Sequence, residues 1–176
     1  MIRWRSLGKL NIPNSWTLLP LRLIVGVGFL LHGLEKLNRG PAKFAAILEQ
    51  IGAPYPLPTA WLVACIEVLG GMLLIIGLMV RLASIPLIIS MLVALFTVHI
   101  HYGFSSVNTI GLTPSGPVFG PPGYEINLLY IAGLIALALS SPTAASVDRI
   151  LFREKSNLCA TENQFQGGSD EPARAI

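Results

Sequence analysis

The chain has 176 residues, of which 53% are hydrophobic and 12% are charged, and its mean hydropathy is +0.66. This composition excludes a disordered chain. It also argues against a soluble domain, because a soluble protein carries about 25% charged residues and has too little interior to bury so many apolar side chains. The net charge of +3 is spread along a hydrophobic chain and predicts no nucleic-acid-binding patch. We therefore expect a membrane protein, with lipid as its surroundings.

Four segments are apolar enough to cross a membrane, which takes about 20 predominantly apolar residues. They cover residues 16–37, 59–80, 82–102 and 125–141. Proline occurs only early in the first and third segments, where a missing amide proton costs little. Nothing before residue 16 has the apolar core of a signal peptide, so we expect the first span to be retained. The pattern predicts an all-α integral membrane four-helix bundle.

The segments between and beyond the spans are shorter. Four apolar residues recur at helical spacing after Pro41: Phe44, Ile47, Leu48 and Ile51. This spacing predicts a short amphipathic helix in the first external loop, lying on the membrane surface. The uncharged segment 103–124 is rich in Gly and Pro, and we expect it to fold as a lid. The transmembrane domain then covers residues 1–155, and residues 156–176 form a polar, disordered cytoplasmic tail.

Lys and Arg residues are unevenly divided between the two sides of the predicted bundle. Seven lie on one side: Arg3, Arg5, Lys9, Arg81, Arg149, Arg153 and Lys155. Three lie on the other side: Lys36, Arg39 and Lys43. Because the side with more positive charge faces the cytoplasm, we expect both termini to be cytoplasmic. Arg22, near the inner end of the first span, is then expected to reach the cytoplasmic lipid phosphates.

Ionisable residues of all four spans fall in the outer half of this bundle: His32, Lys36, Glu67, His99, His101 and Glu125. Glu67 is the most informative, because a charge near mid-membrane costs about 2.5–3.5 kcal/mol and must be paired, protonated or hydrated. We place it about 12 Å below the outer start of the second span. Gly70, Gly71 and Gly77 lie near its face and predict that another helix approaches closely. Glu67 serves either in a structural ion pair or in proton transfer.

The other candidate site residues can also be interpreted in two ways. His32 and Lys36 are four residues apart and can face one pocket, or else Lys36 extends to the headgroups and His32 is interfacial. His99 and His101 are two residues apart and cannot both face the bundle axis. Such residues could bind a metal, but no E-x-x-H motif occurs, so we expect no metal. Nucleotide- and flavin-binding fingerprints are absent from the sequence as well.

Short motifs occur in order along the chain. They are Leu31-His32-Gly33-Leu34-Glu35-Lys36-Leu37, Glu67-Val68-Leu69-Gly70-Gly71, Arg81-Leu82-Ala83, His99 with Gly103-Phe104, Gly123-Tyr124-Glu125 and Ser146-Val147-Asp148. Over about residues 18–151 this series resembles the DoxX family of small four-helix membrane proteins. The resemblance implies a multi-pass protein of a bacterial or archaeal plasma membrane. It also implies redox chemistry near the quinone pool, since the family includes relatives of thiosulfate:quinone oxidoreductase subunits.

By position, the resemblance assigns the family's recurrent polar residues to this chain. They are His32, Lys36, Glu67, His99 and Glu125, with Arg81 and Asp148 on the cytoplasmic side. It favours His99 over His101, because the family's histidine stands four residues before the glycine found here at Gly103. The chain departs from the family pattern at His101, which is an extra polar residue. It also departs at residues 141–145, which are Ser-Pro-Thr-Ala-Ala here, whereas glycines are common at these positions in the family.

The leading hypothesis is a component of a quinone-linked oxidoreductase. Catalytic roles go to Glu67, His99 and His32, and ligand-binding roles to Lys36, Glu125 and His101. His32, His99 or Lys36 would hydrogen-bond quinone carbonyls. Glu67 and Glu125 would exchange protons during reduction. We expect quinone as the cofactor. Because no motif binds an electron carrier, either a redox partner subunit or the substrate itself must supply the electrons.

Two other hypotheses remain beside it. In the first, the protein is a non-enzymatic membrane anchor or assembly subunit of a redox complex, and its polar cluster is a structural network. In the second, it forms a pathway for protons or small solutes, which would need polar residues through the inner half of the bundle; apart from Arg22 that half is apolar. Membrane lipid is an expected partner in each case, and a homo-oligomer is compatible with all three.

Overall fold

The computed structural model describes residues 14–140 and 145–148, which are mostly helical. Its helices are α1 (Asn14–Thr17), α2 (Leu19–Arg39), α3 (Pro41–Gln50), α4 (Pro56–Ile76), α5 (Val80–Thr97) and α6 (Glu125–Leu139). Two strands, β1 (Thr109–Thr113) and β2 (Gly116–Phe119), pair antiparallel, and a 3₁₀ turn covers His99–Tyr102. The expected tail 156–176, residues 141–144 and the terminal Lys and Arg residues lie outside the described residues.

Proline and left-handed backbone set the helix boundaries. α2 and α4 each carry a proline in the first turn, where its fixed φ suits a helix start. Gly77 ends α4 with a φ of 69°, and Met79 precedes α5 with a φ of 51°. These left-handed residues reverse the chain within three positions. The turn between the second and third predicted spans is therefore Gly77–Met79, and Arg81 lies in the first turn of α5 rather than between the helices.

The four longer helices enclose one apolar core. α2 and α5 each contact both α4 and α6. The largest buried cluster takes side chains from all four: Val25, Phe29, Leu74, Leu87, Leu134 and Leu137. α3 forms where an amphipathic helix is expected, but its buried residues Ala45 and Leu48 pack against Ala60 of α4. Part of its apolar side therefore contacts protein.

Glycines allow α2 and α4 to come very close together. A Cβ at Gly71 would lie 2.6 Å from the backbone nitrogen of Leu30, and one at Gly33 would lie 2.8 Å from the nitrogen of Val68. Gly70 gives the same room to a side chain of α5, since a Cβ there would lie 2.9 Å from Leu87. The prediction of close helix approach near Glu67 is confirmed.

The outward surface of the long helices is apolar. Within the described residues, α4 and α5 are the two helices long and apolar enough to cross a membrane. In the most apolar 18-residue stretch of each helix, only 33% of α4 and 22% of α5 is buried inside the protein. The core helix of a soluble protein would be mostly buried, so these values favour helices that face lipid. α6 has 15 residues and is shorter than the 18 residues taken as the minimum for a membrane-crossing helix.

Segment 103–124 departs from the sequence-based expectation of an all-α protein. β1 and β2 form a two-stranded hairpin there, with an irregularity between Thr109 and Gly111. A lid without strands was expected for this segment. Its many Gly and Pro residues conceal two strand-forming runs of only five and four residues. The fold is therefore mostly helical, with one small β-hairpin between α5 and α6.

Candidate functional site

The centre of the candidate site is an ion pair between α2 and α4. The Lys36 Nζ donates to both carboxylate oxygens of Glu67, at 2.5 Å each. The Glu67 side chain is 1% exposed, whereas that of Lys36 is 25% exposed. One partner is thus enclosed by the helices, and the other remains accessible from outside.

Helix geometry explains how the two residues meet. Glu67 lies eleven residues after Pro56, about 16 Å along α4 and near its middle. This is deeper than the expected 12 Å, because α4 begins three residues before the predicted span. Lys36 lies near the end of α2, and its long side chain reaches Glu67 over the close contact at Gly33.

Two neighbouring residues complete the surroundings of the ion pair. The Ser90 hydroxyl, on α5, donates to Glu67 Oε1 at 3.4 Å. The ring of Phe44, on α3, lies 4.9 Å from the Lys36 ammonium and gives a cation–π contact. Neither Ser90 nor Phe44 was predicted from the sequence to belong to the site. The signal for Ser90 was its position as a hydroxyl within an apolar helix, while Phe44 gave none.

His32 lies on α2, one turn before Lys36, and its side chain is exposed. Its imidazole ring contacts the ring of Tyr130 on α6, with 6.5 Å between ring centres. Tyr130 also packs edge-on against the buried Phe29. Its hydroxyl lies over Gly28, where a Cβ would collide with it. His32 therefore belongs to the contact between α2 and α6, and no hydrogen bond joins it to Glu67 within the described part of the chain.

His99 and Glu125 both hold the segment that joins α5 to α6. The Nδ1 atom of His99 lies 2.9 Å from the carbonyl oxygen of Pro122. A carbonyl can only accept, so Nδ1 donates, and Nε2 of the neutral ring remains an acceptor. The Glu125 Oε2 accepts a hydrogen bond from the backbone nitrogen of Ser106 at 3.0 Å.

The structure therefore joins two of the six predicted site residues directly, Lys36 and Glu67. His32, His99 and Glu125 have the separate contacts described above, and His101 is exposed in the 3₁₀ turn. Among residues 14–140 and 145–148, no group of three His, Cys, Asp or Glu side chains is placed to hold a metal ion.

A second polar cluster lies at the opposite end of α2. Arg22 is 1% exposed, and its Nη2 donates to the carbonyls of Ala145 at 2.9 Å and Ile75 at 3.4 Å. The expectation that Arg22 reaches lipid phosphates is therefore wrong: the side chain is enclosed by α4 and by residues after α6. Asp148 accepts hydrogen bonds from the backbone nitrogens of Met79 and Val80, and so caps α5.

Arg81 adds another connection at this end, donating to the carbonyl of Ser140 just after α6. Arg81 and Asp148 are the two residues that the family resemblance placed on the cytoplasmic side. In the structure, both tie the chain after α6 to the start of α5. Their chemistry is thus hydrogen bonding to backbone, which gives a structural role and leaves Lys36 and Glu67 as the reactive candidates.

The Lys36–Glu67 pair has the features of a proton-exchange site. Both groups can change their charge, they are in direct contact, and one of them is accessible. In a low-dielectric interior each charge of the pair stabilises the other. An acceptor that reaches Lys36 would meet an ammonium donor whose charge is balanced by the Glu67 carboxylate.

Comparisons with known proteins agree with the sequence resemblance. A family model described as DoxX matches residues 17–100. The uncharacterized membrane protein Rv3486 of Mycobacterium tuberculosis is 31% identical, over 76% of this chain and 80% of its own. The Bacillus subtilis protein named "Putative oxidoreductase CatD" is 29% identical, over 78% of this chain and 88% of its own. An uncharacterized Haemophilus influenzae protein is 29% identical, over 76% of this chain and 90% of its own. No solved structure gives a significant match.

The region matched by the family model contains α2, α3, α4 and α5, and with them Lys36, Glu67 and Ser90. The similarity to the M. tuberculosis membrane protein extends over three quarters of the chain. The apolar, outward-facing helices are what a membrane protein requires. Sequence, structure and relatives thus lead to one conclusion: this chain is a membrane protein and a member of the DoxX family.

Proposed function

We propose that this protein is a membrane-embedded component of a quinone-linked oxidoreductase, with the Lys36–Glu67 pair as its proton-exchange site. The observation that carries the proposal is the ion pair itself: a carboxylate enclosed near the middle of an apolar helix, joined to an ammonium that is 25% exposed. Intramembrane ionisable residues of this kind are characteristic of proton relays and substrate pathways. The name of the B. subtilis relative, an oxidoreductase, supports the same class of function.

The reduction of a quinone requires two electrons and two protons, and the pair serves the proton half of this reaction. Lys36 donates a hydrogen bond to a quinone carbonyl and delivers a proton as the oxygen becomes negative. The Glu67 carboxylate then takes up a proton from water and passes it to the neutral Lys36 amine, which restores the ion pair. The electrons come from a redox partner subunit. His32, His99 and Glu125 remain proposed contributors, as does the exposed His101 for ligand binding.

The proposed topology has four membrane-crossing helices, α2, α4, α5 and α6, as a bundle with both termini in the cytoplasm. The uneven count of Lys and Arg residues supports this orientation. A reporter fused to either terminus should be active only in the cytoplasm. Cleavage of the residue 156–176 tail by protease added outside intact cells would contradict the orientation.

The function can be tested with a matched pair of variants. Glu67→Gln keeps the size and most hydrogen bonds of the side chain but cannot ionise. Glu35→Gln makes the same change in an exposed ion pair with Arg39, one residue from Lys36. We expect Glu67→Gln to lower quinone reduction by at least about 100-fold, as for loss of a general acid–base group, and Glu35→Gln to have no effect.

Turnover is measured as decylubiquinone reduction in membrane vesicles, with NADH, succinate and thiosulfate tested as donors. Binding of decylubiquinone to the purified protein in nanodiscs is measured alongside, together with mass spectrometry of the copurified lipids. Absence of both quinone binding and copurified quinone from the parent protein would refute the proposal.

One observation favours a second candidate function, a non-enzymatic anchor or assembly subunit of a redox complex. Glu67 is bonded to both α2 and α5, through Lys36 and Ser90, so it joins three helices. For an anchor, Glu67→Gln should lower the thermal stability, and a partner enzyme should copurify without any quinone. The two candidates thus differ in which measurement responds to the same variant.

A further inference from the structure

The segment that joins α5 to α6 contains no charged residue and no histidine from position 103 to 124. The β1–β2 hairpin forms its centre. Every residue of β1 and three of the four residues of β2 are exposed. A two-stranded hairpin alone in water is at best marginally stable, so a surface that covers one face would stabilise it.

The strand register gives the hairpin two different faces. Leu112 pairs with Pro117, and Gly111 pairs with Val118. Paired residues share a face, and successive residues alternate between faces. Leu112, Pro117 and Phe119 therefore lie on one face, here called the apolar face of the hairpin. Leu112 is 83% exposed and Phe119 is 60% exposed, so both are uncovered within the protein.

The base of the hairpin is fixed to the ends of two helices. Three backbone hydrogen bonds close it, from Gly123 to Ser105, from Tyr124 to Gly103 and from Glu125 to Phe104. The contacts of His99 with Pro122 and of Glu125 with Ser106 add two more. The base of the hairpin thus lies six residues beyond the end of α5, a helix long and apolar enough to cross a membrane, and β1 begins six residues later.

Exposed apolar side chains continue from α5 to the hairpin. Phe96 is exposed on α5, Ile100 and Tyr102 in the 3₁₀ turn, and Phe104 just beyond it. The outward face of α5 contacts lipid in a membrane protein. The surface leading from it to the apolar face of the hairpin therefore has the same chemistry as a lipid-contacting surface, and no charged residue between positions 103 and 124 interrupts it.

We propose that the apolar face of the hairpin docks on the lipid bilayer at the level of the headgroups, with Leu112 and Phe119 inserted between the outermost acyl segments. Interfacial protein segments bind in this way through their apolar face. A protein partner fits less well, because protein interfaces have polar rims and gain their specificity from charge complementarity, and this segment offers no charge.

Depth-dependent fluorescence quenching tests the proposal. The full-length protein, with Cys65→Ser and Cys159→Ser, receives either Leu112→Cys or the control Val118→Cys, which lies on the opposite face of the same hairpin. Each variant is labelled with a nitrobenzoxadiazole probe and placed in phosphatidylcholine nanodiscs. We expect the emission of the probe at position 112 to be blue-shifted. Doxyl-labelled lipid should quench most of this fluorescence, and iodide should quench little of it. The probe at position 118 should respond in the opposite way.

Three results would overturn the proposal. Equal quenching at positions 112 and 118 would show that neither face docks selectively. Quenching at position 112 by iodide alone would show that the hairpin stands in water. Protection at position 112 from both iodide and doxyl-labelled lipid would show that the face is covered by protein, either another copy of the chain or a different partner. Both positions are exposed, so neither substitution should prevent folding.

Discussion

Two charged side chains of this protein are equally buried, yet their surroundings differ in kind. Glu67 and Arg22 are each 1% exposed. Glu67 is held by two side chains, Lys36 and Ser90, while the hydrogen bonds of Arg22 go to the backbone carbonyls of Ala145 and Ile75. Both arrangements satisfy a charge in an apolar protein, the first through direct contact with an ammonium and the second through backbone carbonyls.

The difference separates reactive from structural use of buried charge. A guanidinium keeps its positive charge in proteins and has five donors in a fixed plane, which suits it to holding several carbonyls together. A carboxylate bonded to an accessible ammonium instead adjoins a group that can donate a proton to a ligand. The Arg22 end therefore fixes the arrangement of the chain after α6, whereas the Glu67 region is the site at which we propose that chemistry occurs.

The largest effect is expected from removing the cation of the ion pair. Lys36→Met keeps the length and apolar stem of the side chain but leaves Glu67 buried without a counter-charge. Breaking a buried pair in this way costs about 3–5 kcal/mol, so the unfolding temperature in nanodiscs should fall sharply. The double variant Lys36→Met with Glu67→Gln should regain most of the stability, because no uncompensated charge remains. A double variant as unstable as the single one would show that packing, not charge, explains the loss.

The next effect concerns the other buried charge. Arg22→Met removes the donors to Ala145 and Ile75, and hydrogen bonds of charged groups contribute about 1.5–3 kcal/mol each. We expect lower stability but unchanged decylubiquinone binding, since this cluster lies near the opposite end of α2 from Lys36. The control Arg22→Lys keeps the charge and loses the planar donor group, and it should restore only part of the stability. Loss of quinone binding in either variant would contradict the division between the two regions.

A smaller effect is expected from Gly71, which lies on α4 one turn beyond Glu67. In Gly71→Ala the new methyl group would lie 2.6 Å from the backbone nitrogen of Leu30, so α2 and α4 must separate. Such overpacking costs about 1–3 kcal/mol. Gly111→Ala is the matched control, because a Cβ there meets nothing within 4 Å. Equal stability of the two variants, measured by thermal unfolding, would show that close helix approach is unimportant.

Much of the architecture follows from local sequence patterns, which is why it could be predicted. Long apolar runs define α2, α4, α5 and α6, and the glycines beside Glu67 indicate the close contact with α2. The family resemblance pointed to Lys36 and Glu67 as site residues, but the sequence left open whether they meet. Their pairing depends on how far along α2 and α4 each residue lies, which only the packed helices determine.

Other features depend on contacts distant in sequence and left no pattern to read. Arg22 and Ala145 are 123 positions apart, and Asp148 caps a helix that begins 68 positions earlier. A charged residue near a helix end resembles one that extends to lipid phosphates, so Arg22 was misinterpreted. The β-hairpin was missed because its strands are short, contain glycine and proline, and face no protein core.

The smallest effect is expected from the exposed ion pair between Glu35 and Arg39. This pair has no buried member, so it shows what an ion pair contributes without burial. Glu35 and Arg39 are four residues apart on α2, with side chains 54% and 72% exposed. Water screens both charges, so an exposed pair of this kind contributes less than about 0.5 kcal/mol. Glu35→Gln should therefore change the unfolding temperature slightly at low salt and not at all at high salt. The contrast with Lys36→Met, one position along the same helix, measures what enclosure by α4 and α5 adds to an ion pair. If the two variants lost equal stability, burial of Glu67 would not be the reason that its pair matters.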